Sequence, residues 1–303
     1  MSGSSSGKAR PLAIVAAAMD DDLRAAALSA RSLGFAALQL DVRLGELDLT
    51  QLSQSGRREV RSVLRSRDLD LAGLRFDLDS KGLGPGADID AALDRVENIL
   101  QAAAGLECSL VCVDLGPLPA PPPDEKSLSA ISSEMAGDII IPAAREMKIQ
   151  EAPRKVDPTF AASVDGALVE LGRRADRLGV MVAIRSDLAG FAAVDRALKA
   201  AACPWFGVDL DPVAILRDDW KADEIFSRLG DAIRHVRGRD ALLGADRRTK
   251  AAVVGNGSVE WERLLTDLEA VGFNGWITLD PMELPNRSAV AARGAAMLGQ
   301  MVR

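Results

Sequence analysis

From residue 11 onward, short apolar runs alternate with longer stretches whose apolar residues recur every three to four positions. The first run, PLAIVAAAM, predicts a strand, and Asp20–Leu33 predicts the helix after it. The same switch of period gives strand Phe35–Val42, helix Gln51–Arg67, strand Leu69–Leu78 and helix Ile89–Ala104, which carries Leu93, Val96 and Leu100 on one face. Leu110–Leu115 is continuously apolar, as expected of a strand covered on both faces in a parallel sheet. Helix Thr159–Leu178, strand Val180–Ile184, helix Gly190–Ala201, strand Phe206–Leu210 and a helix within Ile215–Leu229 follow. The chain then gives strand Ile233–Arg237, helix Val259–Val271 capped by Ser258 with Glu260 in its first turn, strand Trp276–Leu279 and helix Arg287–Val302. Strands separated by helices pair in parallel, so the predicted class is α/β and the architecture a (β/α)8 barrel, with its chemistry at the C-terminal strand ends.

Two stretches depart from this rhythm. MSGSSSGKAR, residues 1–10, has the composition of a flexible tail, which leaves 11–303 as a single barrel domain. Residues 117–156, from PLPAPPPDEK to APRKVDP, are too long for an ordinary connection. They leave the C-terminal end of the fourth strand, where a segment of this size serves either as a lid or as a surface insertion.

Composition narrows the classes. With 48% hydrophobic residues and no long apolar run, the sequence reads as a soluble globular protein with no membrane-spanning helix. PLAIVAAAM after Lys8 and Arg10 is similar to a secretory leader, but it is needed as the first strand, so a cytoplasmic location is expected. The net charge of −7 argues against nucleic acid as a partner. Cys108 and Cys112, four apart on one predicted strand, lie roughly 13 Å apart at the strand rise, too far for a disulfide. That fits a reducing compartment. The sole histidine, His235, excludes any metal site that needs two imidazoles.

The last quarter carries the most specific signal: FGVDLDPVAIL (206–216), IRHVRGRDALLG (233–244), VVGNGSVEWERLLTDLEAVGF (253–273) and NGWITLDP (274–281). This cadence resembles the xylose isomerase-like TIM barrels, a superfamily of sugar isomerases, sugar and sugar-phosphate epimerases and family 2 AP endonucleases, and the resemblance covers nearly the whole chain. It implies one divalent metal held by a Glu after strand five, an Asp after strand six, a His on strand seven and a Glu after strand eight. Such a metal polarises a sugar carbonyl while the two Glu carboxylates move protons.

Here strand five ends VAIRSD, which puts Arg185 at the first ligand position. VDLDPVA keeps Asp211, with Ala214 where the family has a nearby His. HVRGRD, against the family's HVHLKD, puts Arg237 at the metal His, and Arg239 and Asp240 at the usual Lys–Asp pair. ITLD leaves Asp280 for the last Glu. A protonated guanidinium donates hydrogen bonds and ligates no metal. No metal and no other cofactor is therefore expected, and an ion cluster of Arg185 and Arg237 with Asp211 and Asp280 is expected in its place.

With Arg43 and Arg75, these arginines predict a basic mouth fit for an anionic sugar, sugar acid or phosphosugar. Each could instead pair with Asp41, Asp77, Asp187 or Asp240 nearby. Candidate catalytic groups are Asp280 and His235; candidate ligand-binding groups are Arg43, Arg75, Arg185, Asp211, Arg237, Arg239 and Asp240. GNG at 255–257 reads as a turn, and the four tryptophans as packing. Three functions stay open: a sugar or sugar-phosphate isomerase or epimerase, a non-catalytic carbohydrate-binding or scaffold descendant, and a metal-free enzyme whose arginines stabilise an enolate. The endonuclease branch needs many His ligands and a basic surface, and the sequence has neither.

Overall fold

The computed structural model describes residues 11–79, 81–119, 158–185, 190–218 and 220–301. The tail at 1–10 and nearly all of the expected insertion at 117–156 lie outside the described residues. Eight parallel strands close a barrel in the order β1 (Leu12–Val15), β12 (Trp276–Leu279), β9 (Ile233–Gly238), β8 (Phe206–Leu210), β7 (Met181–Arg185), β6 (Leu110–Asp114), β5 (Asp70–Asp77) and β2 (Ala37–Asp41). The fold is a (β/α)8 TIM barrel.

Helices α1 (Leu23–Ser32), α2 (Gln54–Arg65) and α3 (Ile89–Gly105) begin where the side chains of Asp22, Ser53 and Asp88 accept from backbone amides of the first turn. Helices α4 (Pro158–Leu178), α5 (Phe191–Ala201), α6 (Pro212–Asp218), α7 (Ala222–Leu229), α8 (Trp261–Ala270) and α9 (Arg287–Met301) complete the order. Outward strand residues such as Leu38, Leu74, Val111 and Ile184 bury against Phe35, Leu100, Leu168 and their neighbours in one continuous core. This is the shell that holds the strands at fixed height.

The structure departs from the sequence reading in three places. The helix expected within Ile215–Leu229 is two helices, because Pro212 starts α6 early, with the Asp211 side chain accepting from Val213 N at 2.9 Å. Ser258 does not cap α8: its Oγ accepts from Leu243 N at 3.1 Å, and the helix opens at Trp261. Two hairpins were not expected, β3 (Arg43–Leu44) with β4 (Leu47–Asp48), and β10 (Asp240–Leu243) with β11 (Thr249–Ala252). Cys108, Cys112 and Cys203 are free thiols. No helix among the described residues is long and apolar enough to cross a membrane.

Candidate functional site

Strand side chains alternate in direction, so residues two apart share the barrel lumen. Three lumen layers follow from this. The lowest is small and apolar, with Ala13, Ala37 and Ala72 against Trp276. The middle layer is polar, where barrels of this type are usually filled by branched apolar side chains. There His235 Nδ1 donates to Asp209 Oδ1 at 2.6 Å, and Nε2 meets Thr278 Oγ1 at 2.7 Å and Gln39 Nε2 at 3.3 Å. The Gln39 amide also donates to Cys112 Sγ at 3.4 Å. A carboxylate accepts and an amide nitrogen donates, so the proton of the ring sits on Nδ1.

The top layer, at the strand ends, is ionic. Arg237 donates to Asp280 Oδ2 at 2.7 Å and to Asp211 Oδ2 at 3.3 Å. Arg75 bridges Asp41 Oδ1 at 2.7 Å and the same Asp280 Oδ2 at 2.8 Å. Arg239 reaches Asp211 Oδ2 at 2.8 Å and also pairs with Glu283. Arg185 pairs with Asp77 at 2.5 Å, and with Asp114 and Asp209 at 3.6 Å each. Asp211 and Asp280 are therefore joined through Arg237, while Arg185 takes different partners from those expected, on β5, β6 and β8. Strand neighbours set its choice.

Burial decides the charge states. It pushes the Asp209 carboxyl up, but His235, Arg185 and Arg237 outweigh it and hold the group down at about 2. Asp280 is pushed up by burial and more than offset by Arg237 and Arg75, so it also lies below the usual range. Arg237 is pulled down by burial and held up by Asp211, Asp280 and Asp209, so it stays charged. Asp41 goes the other way: burial dominates over Arg75, and its carboxyl is raised.

These directions fix the acid response. A lowered carboxyl contributes stability that is present above its unfolded value and lost as pH falls through its folded value. For Asp209 the window runs from about pH 4 to about 2. Asp41, with a raised carboxyl, contributes most below its unfolded value and loses that as pH rises, so it offsets part of the loss. Denaturation titrations between pH 5 and pH 2 are expected to lose roughly 2 kcal/mol from the Asp209 window, a component that Asp209→Asn removes.

The sequence-selected residues do not all converge. Arg75, Arg185, Asp211, Arg237, Arg239 and Asp280 meet at the strand ends. Arg43 lies outside the network on β3, with an exposed side chain paired to Asp48. Two of the selected residues lie away from the mouth. His235 is fully buried in the layer below the ionic one, bonded to Asp209 and Thr278. Asp240 is buried too, and its oxygens accept from Ala241, Gly255, Gly257 and Val259 amides and from Trp261 Nε1. No lone pair remains for a ligand.

Nor is the mouth basic. Asp41, Asp77, Asp114, Asp211, Asp280 and Glu283 outnumber Arg75, Arg185, Arg237 and Arg239, and each of these arginines is paired. Asp187 lies outside the described residues. Asp114, Asp209 and Gln39 were missed in the sequence, whereas Asp41 and Asp77 had been named as alternative arginine partners and do pair with Arg75 and Arg185. The signal for Asp209 and Gln39 was available, since Asp209 lies two before Asp211, as Gln39 does before Asp41.

The residues present do not fit a strand-end divalent metal, because two guanidiniums stand at ligand positions and pair with carboxylates, two of which the metal would need. Cys112, Asp209 and His235 bring donor atoms within 4.8 Å of one another. That cluster fits poorly as well. Burial holds the Cys112 thiol far above its usual range, His235 Nδ1 is committed to Asp209, and Arg185 Nη1 stands 3.6 Å from the same carboxylate.

A family model described as a xylose isomerase-like TIM barrel matches residues 28–301. No curated protein matches the chain significantly. Among solved structures, a xylose isomerase domain protein from Planctomyces limnophilus is similar at a TM-score of 0.72 and 13% identity, covering 96% of each chain. A probable 3-DHS dehydratase of petrobactin synthesis from Bacillus anthracis is similar at a TM-score of 0.70 and 12% identity over 95% of this chain and 98% of that one. A D-allulose 3-epimerase from Methylomonas sp., in complex with D-allulose, is similar at 0.64 and 14% over 97% and 98%. At these identities the likeness is one of fold.

Proposed function

The chain belongs to the xylose isomerase-like TIM barrel family, and from that premise we propose that it binds a sugar or sugar phosphate at its strand ends without the family's divalent metal. The observation that carries this reading is Arg237, whose guanidinium spans Asp211 and Asp280. A metal would bring positive charge to carboxylates that need it; here a covalently attached cation has taken that place. Asp211 and Asp280 each have arginine partners without an ion, and those partners hold the Asp280 carboxyl below its usual range. The sugar-type ligand is supported by the D-allulose held by a structural neighbour.

Binding is favoured over isomerisation by the state of the donors. Arg237 and Arg75 are committed to carboxylates, so a ligand carbonyl would have to displace one before it could be polarised. A second reading, a metal-free proton-transfer enzyme, is favoured by Asp41. Its carboxyl stands at the mouth, and burial raises it above the usual carboxylate range, the kind of perturbation found in proton-transfer groups.

Calorimetric titration with sugars and sugar phosphates, in buffer containing a chelator, tests the proposal. The expected result is saturable binding unaffected by the chelator. Binding that needs added manganese, cobalt or magnesium would refute it. Turnover of a bound sugar, lost in Asp41→Asn, would select the second reading.

A further inference from the structure

We infer that the ligand seat lies off the barrel axis, in the cavity above the ends of β2 and β5, and that it takes a polyhydroxylated ligand carrying one carboxylate or phosphate group. The inference rests on the reading that the mouth binds a sugar-type ligand. It adds where that ligand sits and what charge it bears.

The axis itself is filled. Arg185, Arg237, Asp211 and Asp280 have side chains only 5–9% exposed; Arg237 pairs with Asp211 and Asp280, and Arg185 with Asp77, Asp114 and Asp209. Open volume is found instead to one side, as a cavity of about 610 Å³ between β2, β5, the β3–β4 hairpin and α3. That size lies within the usual range for small-molecule sites, about 300–1,000 Å³. It is also on the C-terminal face, where barrel chemistry is found. Arg75 joins it to the ion network, since this side chain lines the cavity and pairs with Asp280.

The lining sets the ligand class. Arg43 and Arg95 carry guanidiniums with side chains 80% and 46% exposed, held by Asp48 and Asp79. Exposed pairs of this kind are weak, so an incoming oxyanion can exchange with the aspartates. Gln51 and Asn98 offer neutral donors and acceptors for hydroxyls. Asp41, also on the wall, has a buried Oδ2 without a hydrogen-bond partner, an acceptor that a ligand hydroxyl would satisfy. A second cavity, about 750 Å³, is edged by Asp20, Asp21, Asp22, Glu46 and Glu59 against the single cation Arg24, is therefore net negative, and touches no barrel strand end. Its charge repels anions.

The test uses Asn98→Trp. Asn98 is exposed on α3, so the larger side chain fills the cavity without breaking an ion pair in the network. Wild type and variant are titrated calorimetrically with D-gluconate and D-ribose 5-phosphate, and with D-glucose and inorganic phosphate as probes carrying one feature each. D-gluconate or D-ribose 5-phosphate should bind wild type at least tenfold more tightly than either single-feature probe. Asn98→Trp should weaken that binding at least tenfold at an unchanged melting temperature, and Arg43→Ala should weaken it in the same direction. Equal affinity in Asn98→Trp would overturn the off-axis seat, and failure of both acidic probes to bind would overturn the ligand class. Running each titration with and without chelator keeps the two readings apart, because chelator sensitivity counts against metal independence alone while the variant comparison still decides the seat.

Discussion

Arg237→Met is expected to destabilise the barrel by about 3–5 kcal/mol at neutral pH, the usual cost of removing one partner from a buried ion pair. The substitution keeps the length of the side chain and removes only its charge and donors. Asp280 then depends on Arg75 alone, and Asp211 on Arg239 alone, at the top of a lumen where both are nearly inaccessible to water. The cost should shrink in acid, because the released carboxyls protonate more easily than in wild type and their burial becomes less unfavourable. Pairing Arg237→Met with Asp280→Asn should cost less than the sum of the two single changes, since the second removes the charge that the first strands. Urea denaturation of the four proteins at pH 7 and pH 4 measures both effects. A loss under 1 kcal/mol at pH 7 would mean that water or a neighbouring arginine already neutralises the pair.

Asp240→Ala is expected to cost at least about 3 kcal/mol, from donors each worth about 1–3 kcal/mol when left buried and unmatched. One carboxylate organises the whole connection between β9 and α8, holding four backbone amides and the Trp261 indole. The loop approaches it so closely that a Cβ at Gly257 would collide with the carboxylate, and Gly255 takes a positive φ of 85°. Amide hydrogen exchange should rise across Gly255–Val259 in the variant while α3 stays protected. Uniform loss of protection would instead place Asp240 in the global core rather than in a local clamp.

The fold was legible because barrel strands and helices differ in period, and the apolar spacing carries that difference directly. Phe206–Leu210 and Trp276–Leu279 were read with the limits the structure gives them. The connections were less legible. Pro212 and the Asp211 side chain start a helix that periodicity places later, and the β10–β11 hairpin has no strict apolar alternation.

At the site, Arg237 could be located from HVRGRD, since residues two apart share a face and Arg237 lies two beyond His235, one before the end of β9. The depth of His235 was not legible, because alternation gives direction but not depth: it points inward one layer below the ionic one. Arg185 was matched to the wrong carboxylates because its partners are chosen across the sheet by register, where Asp114 lies opposite it on β6 and Asp77 one strand further on β5. Asp240 looked like a mouth residue beside Arg239, yet the chain turns between them and sends one side chain to Asp211 and the other under the Gly255–Val259 loop.

Metal stoichiometry tests most directly whether a guanidinium has replaced the metal. Protein purified without chelator is assayed for bound metal, then titrated with manganese, cobalt, magnesium and zinc while the melting temperature is followed, since a ligand that binds only the folded state must raise it. Substoichiometric metal and no shift are expected in wild type. A gain of stoichiometric metal is expected in the Arg185→Glu, Arg237→His double variant, where both ligand positions are restored beside Asp211 and Asp280. One metal per wild-type chain, with a clear rise in melting temperature, would contradict the replacement.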